Sequence, residues 1–414
     1  MKVVIMAGGK GTRIASVNSD VPKPMIPIDG KPILEYQINA LAAQGYCEII
    51  LIIGHLGHVI RDYFEDGSKW NVQISYIEEN TPLGTAGALF YLKEQIKDDF
   101  LLLNGDIIFD VDIRRFLADH KAQGTMATIL THPNSHPYDS GIIVADNDGR
   151  ATNWLHKEDP RLWYRNRVNA GLHMLSPRIF SFFSDLQKKD LDRDILKPLI
   201  IQRELSVYDS PEYIKDMGTP DRYYSVIEDI HSGKVAAKNL ARKQKAIFLD
   251  RDGTINKYVG FLTNIDEFEL LDGVAEAIRQ INESGYLAIV ASNQPVIARG
   301  EVSPEELQEI HNKMETLLGQ KGAYLDAIFY CPHHPHKGYE GERPEYKIEC
   351  ECRKPKPGML LAAAEKYNID LTQSWMIGDS DNDIEAGQAA GCRVIKVNTN
   401  SSELSSAVKM ILNQ

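Results

Sequence analysis

The sequence predicts an α/β protein built from two tandem units, each a mostly parallel, doubly wound sheet. Strand-like apolar runs alternate with amphipathic, helix-like runs along the chain, the rhythm of βαβ connections. The rhythm is interrupted by a basic stretch, "HSGKVAAKNLARKQK", and restarts at "AIFLD". A length of 414 residues also exceeds what one hydrophobic core serves, at about 150 residues per domain.

In the first half, "VVIM", "IILII", "VQISYI" and "FLLLN" are strand candidates, separated by amphipathic stretches near 31–44, 57–66 and 85–96. Short strands near 126–131, 141–145, 168–174 and 204–208 suggest a mixed region along one side, and a last helix follows Asp216 to about 231. The basic stretch reads as a solvated helical linker, 232–244, between domains 1–231 and 245–414. Beyond it the sequence predicts strands at 246–250, 287–291, 327–330, 374–378 and 393–397, with helices at 273–284, 304–319, 358–368 and 382–390.

Apolar content of 43% and charged content of 25% are those of an ordinary globular protein. A net charge of −12 argues against grip on nucleic acid or an anionic membrane, and no apolar run approaches the roughly 20 residues that span a bilayer. Five cysteines, three of them crowded between 331 and 352 beside histidines, suggest metal ligation in a reducing, cytoplasmic setting and not a disulfide framework. The partners implied are small molecules; a homo-oligomer is compatible with the sequence, which leaves oligomeric state open.

The first half carries its chemistry in five places. "MAGGKGTRI" follows the first strand directly and fits neither GxxxxGK[ST] nor GxGxxG. Gly8, Gly9 and Gly11 let backbone N–H groups approach an anion, and Arg13 adds a permanently charged fork. Lys23, in the proline-stiffened "VPKPMIPIDGKP", aims an ammonium at the same phosphates. Gly84 and Gly87, in "PLGTAGAL", suit flat contact with a base or sugar. Asp106 ends "LLLNGD" and Asp216 stands in "IKDMGTPDRY"; two carboxylates from distant strands meeting at a triphosphate suit Mg²⁺, whose shell phosphates and waters complete.

Together these motifs, spanning 1–231, resemble the sugar-1-phosphate nucleotidylyltransferases. The resemblance implies a Rossmann-like domain in which a sugar 1-phosphate oxygen attacks the α-phosphorus of an NTP and pyrophosphate leaves. It implies Gly8, Gly9, Gly11, Arg13 and Lys23 on the triphosphate and Asp106 and Asp216 on magnesium. "WLHKEDP" matches the family's lysine near the sugar phosphate, giving Lys157, and "VNAGLHML" matches its sugar-binding turn, giving Asn169 and Gly171. His156 departs from the family, where an acidic residue is usual. Glu79 stands just before the glycine-rich turn that, by the resemblance, lies along the base. A carboxylate only accepts, and guanine offers two adjacent donors on its Watson–Crick edge, so Glu79 points to GTP and a heptose-1-phosphate guanylyltransferase-like activity.

The second half opens on "FLDRDGTI". Asp250 ends a buried strand, where open α/β sheets place their chemistry, and a carboxylate there can attack phosphorus. Asp252 can protonate the leaving alcohol and later activate water. Ser292 and Asn293 in "VASNQP" can hydrogen-bond phosphate oxygens, and Arg353 and Lys354 in "CRKPKPGM" are cationic clamps. Asp379 in "MIGDSDND", with Asp250 and the backbone carbonyl of Asp252, would make an oxygen-rich Mg²⁺ site; Asp383 follows four residues on. "CPH" and "CEC" supply Cys331, His333, Cys350 and Cys352, a set suited to tetrahedral structural Zn²⁺, with His334 and His336 as competing fourth ligands.

Residues 245 to about 405 resemble the haloacid dehalogenase-like phosphatases. The resemblance implies Asp250 as nucleophile, Asp252 as general acid/base, Ser292 and Lys354 on the phosphate, and Asp250, Asp252 and Asp379 around magnesium. The stretch from Thr254 to Ser292 is too short for a large cap, so loops must cover the site. The cysteine loop before "RKPKPGM" resembles the histidinol-phosphatase-like branch, most closely the D,D-heptose 1,7-bisphosphate phosphatases, which implies Cys331, His333, Cys350 and Cys352 on zinc. The expectation is a bifunctional enzyme: hydrolysis of the 7-phosphate of a heptose 1,7-bisphosphate, then nucleotidylation of the heptose 1-phosphate. Another phosphosugar or NTP, or a nucleotide-sensing first half regulating a histidinol-phosphatase-like second half, are the alternatives.

Overall fold

The computed structural model describes residues 1–9 and 21–414; Gly11 and Arg13 lie outside the described residues. The chain divides into two compact units: Met1–His132, Ile143–Trp154 and Asn169–Ala236 form the first, and Pro133–Ile142, Leu155–Val168 and Ala237–Gln414 the second.

The first unit is organised by a nine-stranded sheet. Val3–Met6 lies between the parallel neighbours Glu48–Ile53 and Phe100–Asn104, with Gln73–Glu78 beyond the former. Val168–Leu175 runs antiparallel to Phe100–Asn104 and leads into the mixed region. The apolar runs produce this because strand side chains alternate: Val3 and Ile5 pack into one core and Val4 into another on the opposite face. A separate antiparallel pair, Ile107–Asp110 with Tyr213–Asp216, was not expected; it sets Asp216 opposite Ile107, one residue from Asp106.

The 85–96 stretch is not an α-helix but a 3-10 helix, Gly87–Leu92. A side chain on Gly84 would collide with the Lys189 carbonyl and one on Gly87 with the Gln187 carbonyl, so contact with a second backbone segment shapes this turn.

The second unit holds a five-stranded, all-parallel sheet in the order Ala327–Cys331, Tyr286–Asn293, Lys245–Leu249, Trp375–Gly378, Arg393–Lys396. Its faces are covered by two cores, one receiving Ile247 and Leu249, the other Ala246 and Phe248. The helix Pro304–Gly319 starts as expected, with a Ser303/Glu306 capping box and proline at the first positions. Between Thr254 and Ser292 stand one 3-10 turn and the helix Val274–Glu283, with no inserted cap domain.

The division at 231 and 245 needs correction. Residues 133–142 and 155–168 belong to the second unit, where the buried Arg167 pairs with Glu315 at 3.1 Å and donates to the Asp326 carbonyl at 3.0 Å. The expected solvated linker is helical only over Lys234–Ala237. Lys238, Asn239 and Leu240 are buried, with the Lys238 ammonium 3.3 Å from Asp326, so the chain joins the second core well before the next strand. Among the described residues no helix is long and apolar enough to cross a membrane.

Candidate active sites

In the first unit, the carboxyl ends of the parallel strands open on a cavity of about 810 Å³. Gly8, Gly9, Lys23, Glu79, Gly84 and Asp106 line it together, as do His55, Asn80, Asn104, Lys188 and Gly218, which the motifs did not single out. Gly8 stands against Glu79: a Cβ there would lie 2.7 Å from the Glu79 Oε2 and displace the end of that side chain. Glu79 is half-buried, accepts from the Leu83 N–H at 3.3 Å, and burial raises its carboxyl above the usual range.

The two expected metal carboxylates come from neighbouring backbone, Asp216 pairing with Ile107, the residue after Asp106. Asp106 pairs with the Lys23 ammonium, and the Met217 N–H donates to the Asp106 carbonyl at 2.9 Å. Arg222 donates to both Asp216 oxygens, at 2.7 and 2.9 Å, and the Gly218 N–H adds a third bond at 2.9 Å. Burial alone would raise the Asp216 carboxyl, but Arg222 outweighs it and holds the group below the ordinary carboxylate range. Arg222 went unremarked in the sequence, although its place in the first turn of the helix Pro220–His231, six residues after Asp216, was readable. Asp106 lines the cavity while Asp216 does not; carboxylates from these two backbone neighbours suit a hard cation that keeps few protein ligands.

The sugar-side residues divide. Gly171, at φ +76°, would with any Cβ approach the Asn104 side chain to 2.8 Å, and its N–H donates to Asn169 Oδ1 at 3.0 Å, so this turn adjoins a cavity residue. Gly87 packs against backbone and does not line the cavity. Lys157 lies in the 155–168 segment of the second unit, exposed, its ammonium 3.7 Å from Glu158.

In the second unit the parallel register puts the ends of three strands in line: Asp250 after Leu249, Ser292 and Asn293 closing Tyr286–Asn293, and Asp379 after Gly378. Lys354 Nζ is buried among them, 2.6 Å from Asp250 Oδ1 and from the Ala291 carbonyl, and ion-paired with Asp383. Asn293 clips this lysine by two bonds of 3.0 Å, its amide donating to the Lys354 carbonyl and accepting from the Lys354 N–H. Burial pulls the Lys354 ammonium down, but the carboxylates of Asp250 and Asp383 outweigh it and the net shift is upward. Burial pushes the Asp250 carboxyl up, to about 7, against the pull of Lys354. Carboxylate oxygens of Asp250, Asp379 and Asp383 lie within 4.8 Å of one another, a donor set that fits a hard divalent cation.

This triad contains both carboxylates expected on magnesium, Asp250 and Asp379, and adds Asp383, which the sequence had only placed four residues on. The Asp252 carboxylate is turned towards Arg251, Gln294 and Asn256 and is not in the acidic cluster, in keeping with a role for its backbone carbonyl alone at a metal; Asp383 is anchored by the Ser380 N–H at 3.0 Å and the Ser380 hydroxyl at 2.7 Å. Arg353 is engaged elsewhere, donating to the His333 carbonyl at 3.1 Å.

The cysteine loop closes on itself. The Cys331, Cys350 and Cys352 sulfurs are 3.3 to 3.5 Å apart, and His333 Nδ1 is 3.4 Å from Cys352 and 3.6 Å from Cys331. Hydrogen bonding within the cluster pushes the Cys331 thiol up and the Cys352 thiol down, and the four donors together fit a single metal ion. His334 and His336 face each other, rings 5.1 Å apart, and are not in this cluster.

Comparison with known proteins matches residues 2–233 to the family described as nucleotidyl transferase and residues 351–411 to that described as HAD-hydrolase-like. The D-glycero-beta-D-manno-heptose-1,7-bisphosphate 7-phosphatase of Pasteurella multocida is 46% identical over 147 residues, 36% of this chain and 77% of that protein. Its counterpart from Photorhabdus laumondii is 42% identical over 175 residues, 41% of this chain and 89% of that protein. The crystal structure of HddC from Yersinia pseudotuberculosis, complexed with GMP-PN, is 28% identical, covering 55% of this chain and 99% of that one, with a TM-score of 0.48.

Proposed function

The chain belongs to the nucleotidyl transferase family and to the D-glycero-β-D-manno-heptose-1,7-bisphosphate 7-phosphatases, it has both activities in a heptose pathway, and from that premise we propose the order and chemistry of its two steps. The second unit removes the 7-phosphate of a heptose 1,7-bisphosphate. The first transfers GMP from GTP to the resulting heptose 1-phosphate and releases pyrophosphate. One observation carries the order: a monoester-hydrolysing site and an NTP-sized cavity stand on one chain, and a sugar left with a single phosphate at C1 is the species both can share.

In the phosphatase reaction an Asp250 oxygen attacks phosphorus, the bond from phosphorus to the C7 oxygen breaks, and that oxygen takes the proton of Asp252. Lys354 holds Asp250 towards the phosphate, and Ser292 and Asn293 hydrogen-bond its oxygens. Water then attacks the acyl phosphate, Asp252 takes the water's proton, and the bond between Asp250 and phosphorus breaks, releasing phosphate. Asp250, Asp379, Asp383 and the Asp252 carbonyl would hold magnesium, which would supply charge neutralisation between carboxylate and phosphate. Cys331, His333, Cys350 and Cys352 would hold zinc, which would tie the 331–352 loop together.

In the transferase reaction the chain supplies position and charge, since the incoming sugar phosphate is itself the nucleophile. Gly8, Gly9 and Lys23 cradle the triphosphate, joined by Gly11 and Arg13 from outside the described residues. Asp106 and Asp216 hold its magnesium, Asn169 and Gly171 orient the sugar, and Glu79 accepts from guanine N1–H and its exocyclic amine. The test is mass spectrometry of products from the heptose 1,7-bisphosphate with each NTP. Phosphate, pyrophosphate and a GDP-sugar are expected. Faster turnover of CTP, UTP or ATP would end the guanine assignment, and hydrolysis of histidinol phosphate in preference to the bisphosphate would end the heptose one.

A further inference from the structure

Arg251 stands between the two reactive aspartates in sequence, yet its side chain is completely buried. Its Nη2 donates to both Asp252 oxygens at 2.9 Å and its Nε to Asp252 Oδ1 at 3.2 Å. The same Nη2 reaches Gln294 Oε1 at 3.0 Å, and Nη1 lies 3.2 Å from His311 Nε2. Gln294 closes the ring: its amide N–H groups donate to Asp252 Oδ2 and to Ser292 Oγ, both at 2.8 Å. His311 can take part only as a neutral imidazole with a free Nε2, because a guanidinium never accepts. Burial and the neighbouring cation keep it in that form.

Stability does not explain this arrangement. A buried ion pair is on average no more stabilising than apolar residues of the same volume, so an arginine with every partner fixed at a reaction centre calls for another reason. We propose that Arg251, braced by His311 and Gln294, is a positioning residue that sets the direction in which the Asp252 carboxyl faces the leaving oxygen and the attacking water. Gln294 couples the same frame to Ser292, so the proton donor and the phosphate-binding hydroxyl share one alignment. The inference rests on the acid/base role proposed for Asp252.

The experiment separates leaving groups that need a proton from those that do not. With 4-nitrophenyl phosphate the departing phenolate needs little protonation; with an alkyl phosphate such as the heptose bisphosphate it needs a donor. Arg251→Met should leave the first-turnover burst of nitrophenolate within about threefold of wild type, followed by slow turnover. Its single-turnover rate on the alkyl phosphate should fall about 100-fold, the lower end of what a general acid contributes. His311→Leu, which strands Nη1, should show the same split to a smaller degree, and His311→Gln, which restores an acceptor, should recover most of it; this pair carries the test if Arg251→Met does not fold. Equal slowing of both substrates' first turnover, with zinc content and melting temperature intact, overturns the proposal. Asp252→Asn is the reference: if it shows no split, the acid/base reading itself fails, whereas a split there but not in the Arg251 and His311 variants defeats only the positioning role.

Discussion

The two sites solve the problem of phosphate charge in opposite ways. In the transferase unit the charged groups stand in separate couples, Lys23 with Asp106 on the wall of the cavity and Arg222 with Asp216. In the phosphatase unit Lys354 serves two carboxylates at once in a buried cluster, and the neighbouring Arg251 is part of a closed ring. On the mechanism proposed above, the difference follows from who supplies the nucleophile. Where the substrate brings it, the protein needs room, charge and orientation. Where the protein must make a covalent bond, a carboxylate has to be desolvated, aimed and kept beside its cation, and a buried network does that.

The comparison is broken most severely by removing the nucleophile. Asp250→Asn should lower phosphate release by about 10⁴-fold or more, while pyrophosphate formation from GTP and heptose 1-phosphate stays at the wild-type rate, read by coupled assays on one preparation. Loss of both reactions in a folded variant would mean that the sites are not independent. In the transferase unit the effect should be smaller and reversed: Asp106→Ala or Asp216→Ala lowers nucleotidyl transfer by about 10²–10³-fold, comparable to losing one preorganised electrostatic group, and leaves hydrolysis intact.

The cysteine loop sharpens the contrast in stability. Cys350→Ser should release about one zinc per chain and lower the melting temperature of the second unit only, because metal-binding free energy in such a loop is folding free energy. Metal analysis and calorimetry check it; retained full-occupancy zinc would remove Cys350 from the ligand set. The smallest effect is expected at Glu79. Glu79→Gln should reduce the preference for GTP over other NTPs by about 10- to 100-fold, equivalent to about 1–3 kcal/mol for one mismatched polar contact in a specificity pocket. An unchanged ratio of kcat/KM values would show that this half-buried carboxylate does not read the base.

Much of this was legible in the residues alone. Period-two apolar runs bounded by glycines and carboxylates fix both faces of a strand, so Val3–Met6, Phe100–Asn104 and Lys245–Leu249 could be read from local pattern, and with them the strand ends that carry Gly8 and Asp250. The C-x-H and C-x-C pairs likewise announced a four-ligand cluster. What the sequence left undetermined depends on contacts between residues far apart in the chain. No local pattern says that 155–168, the segment of Lys157, packs with the second unit. Nor does spacing tell which way adjacent side chains turn. Asp252 and Asp383, both acidic and both near a strand end, take different surroundings because Arg251, 60 residues from His311 and 43 from Gln294, captures one, and Lys354 captures the other. Strand pattern is a property of neighbours along the chain; the pairing of buried charges is settled only when the tertiary fold decides which opposite charge is within reach once water has gone.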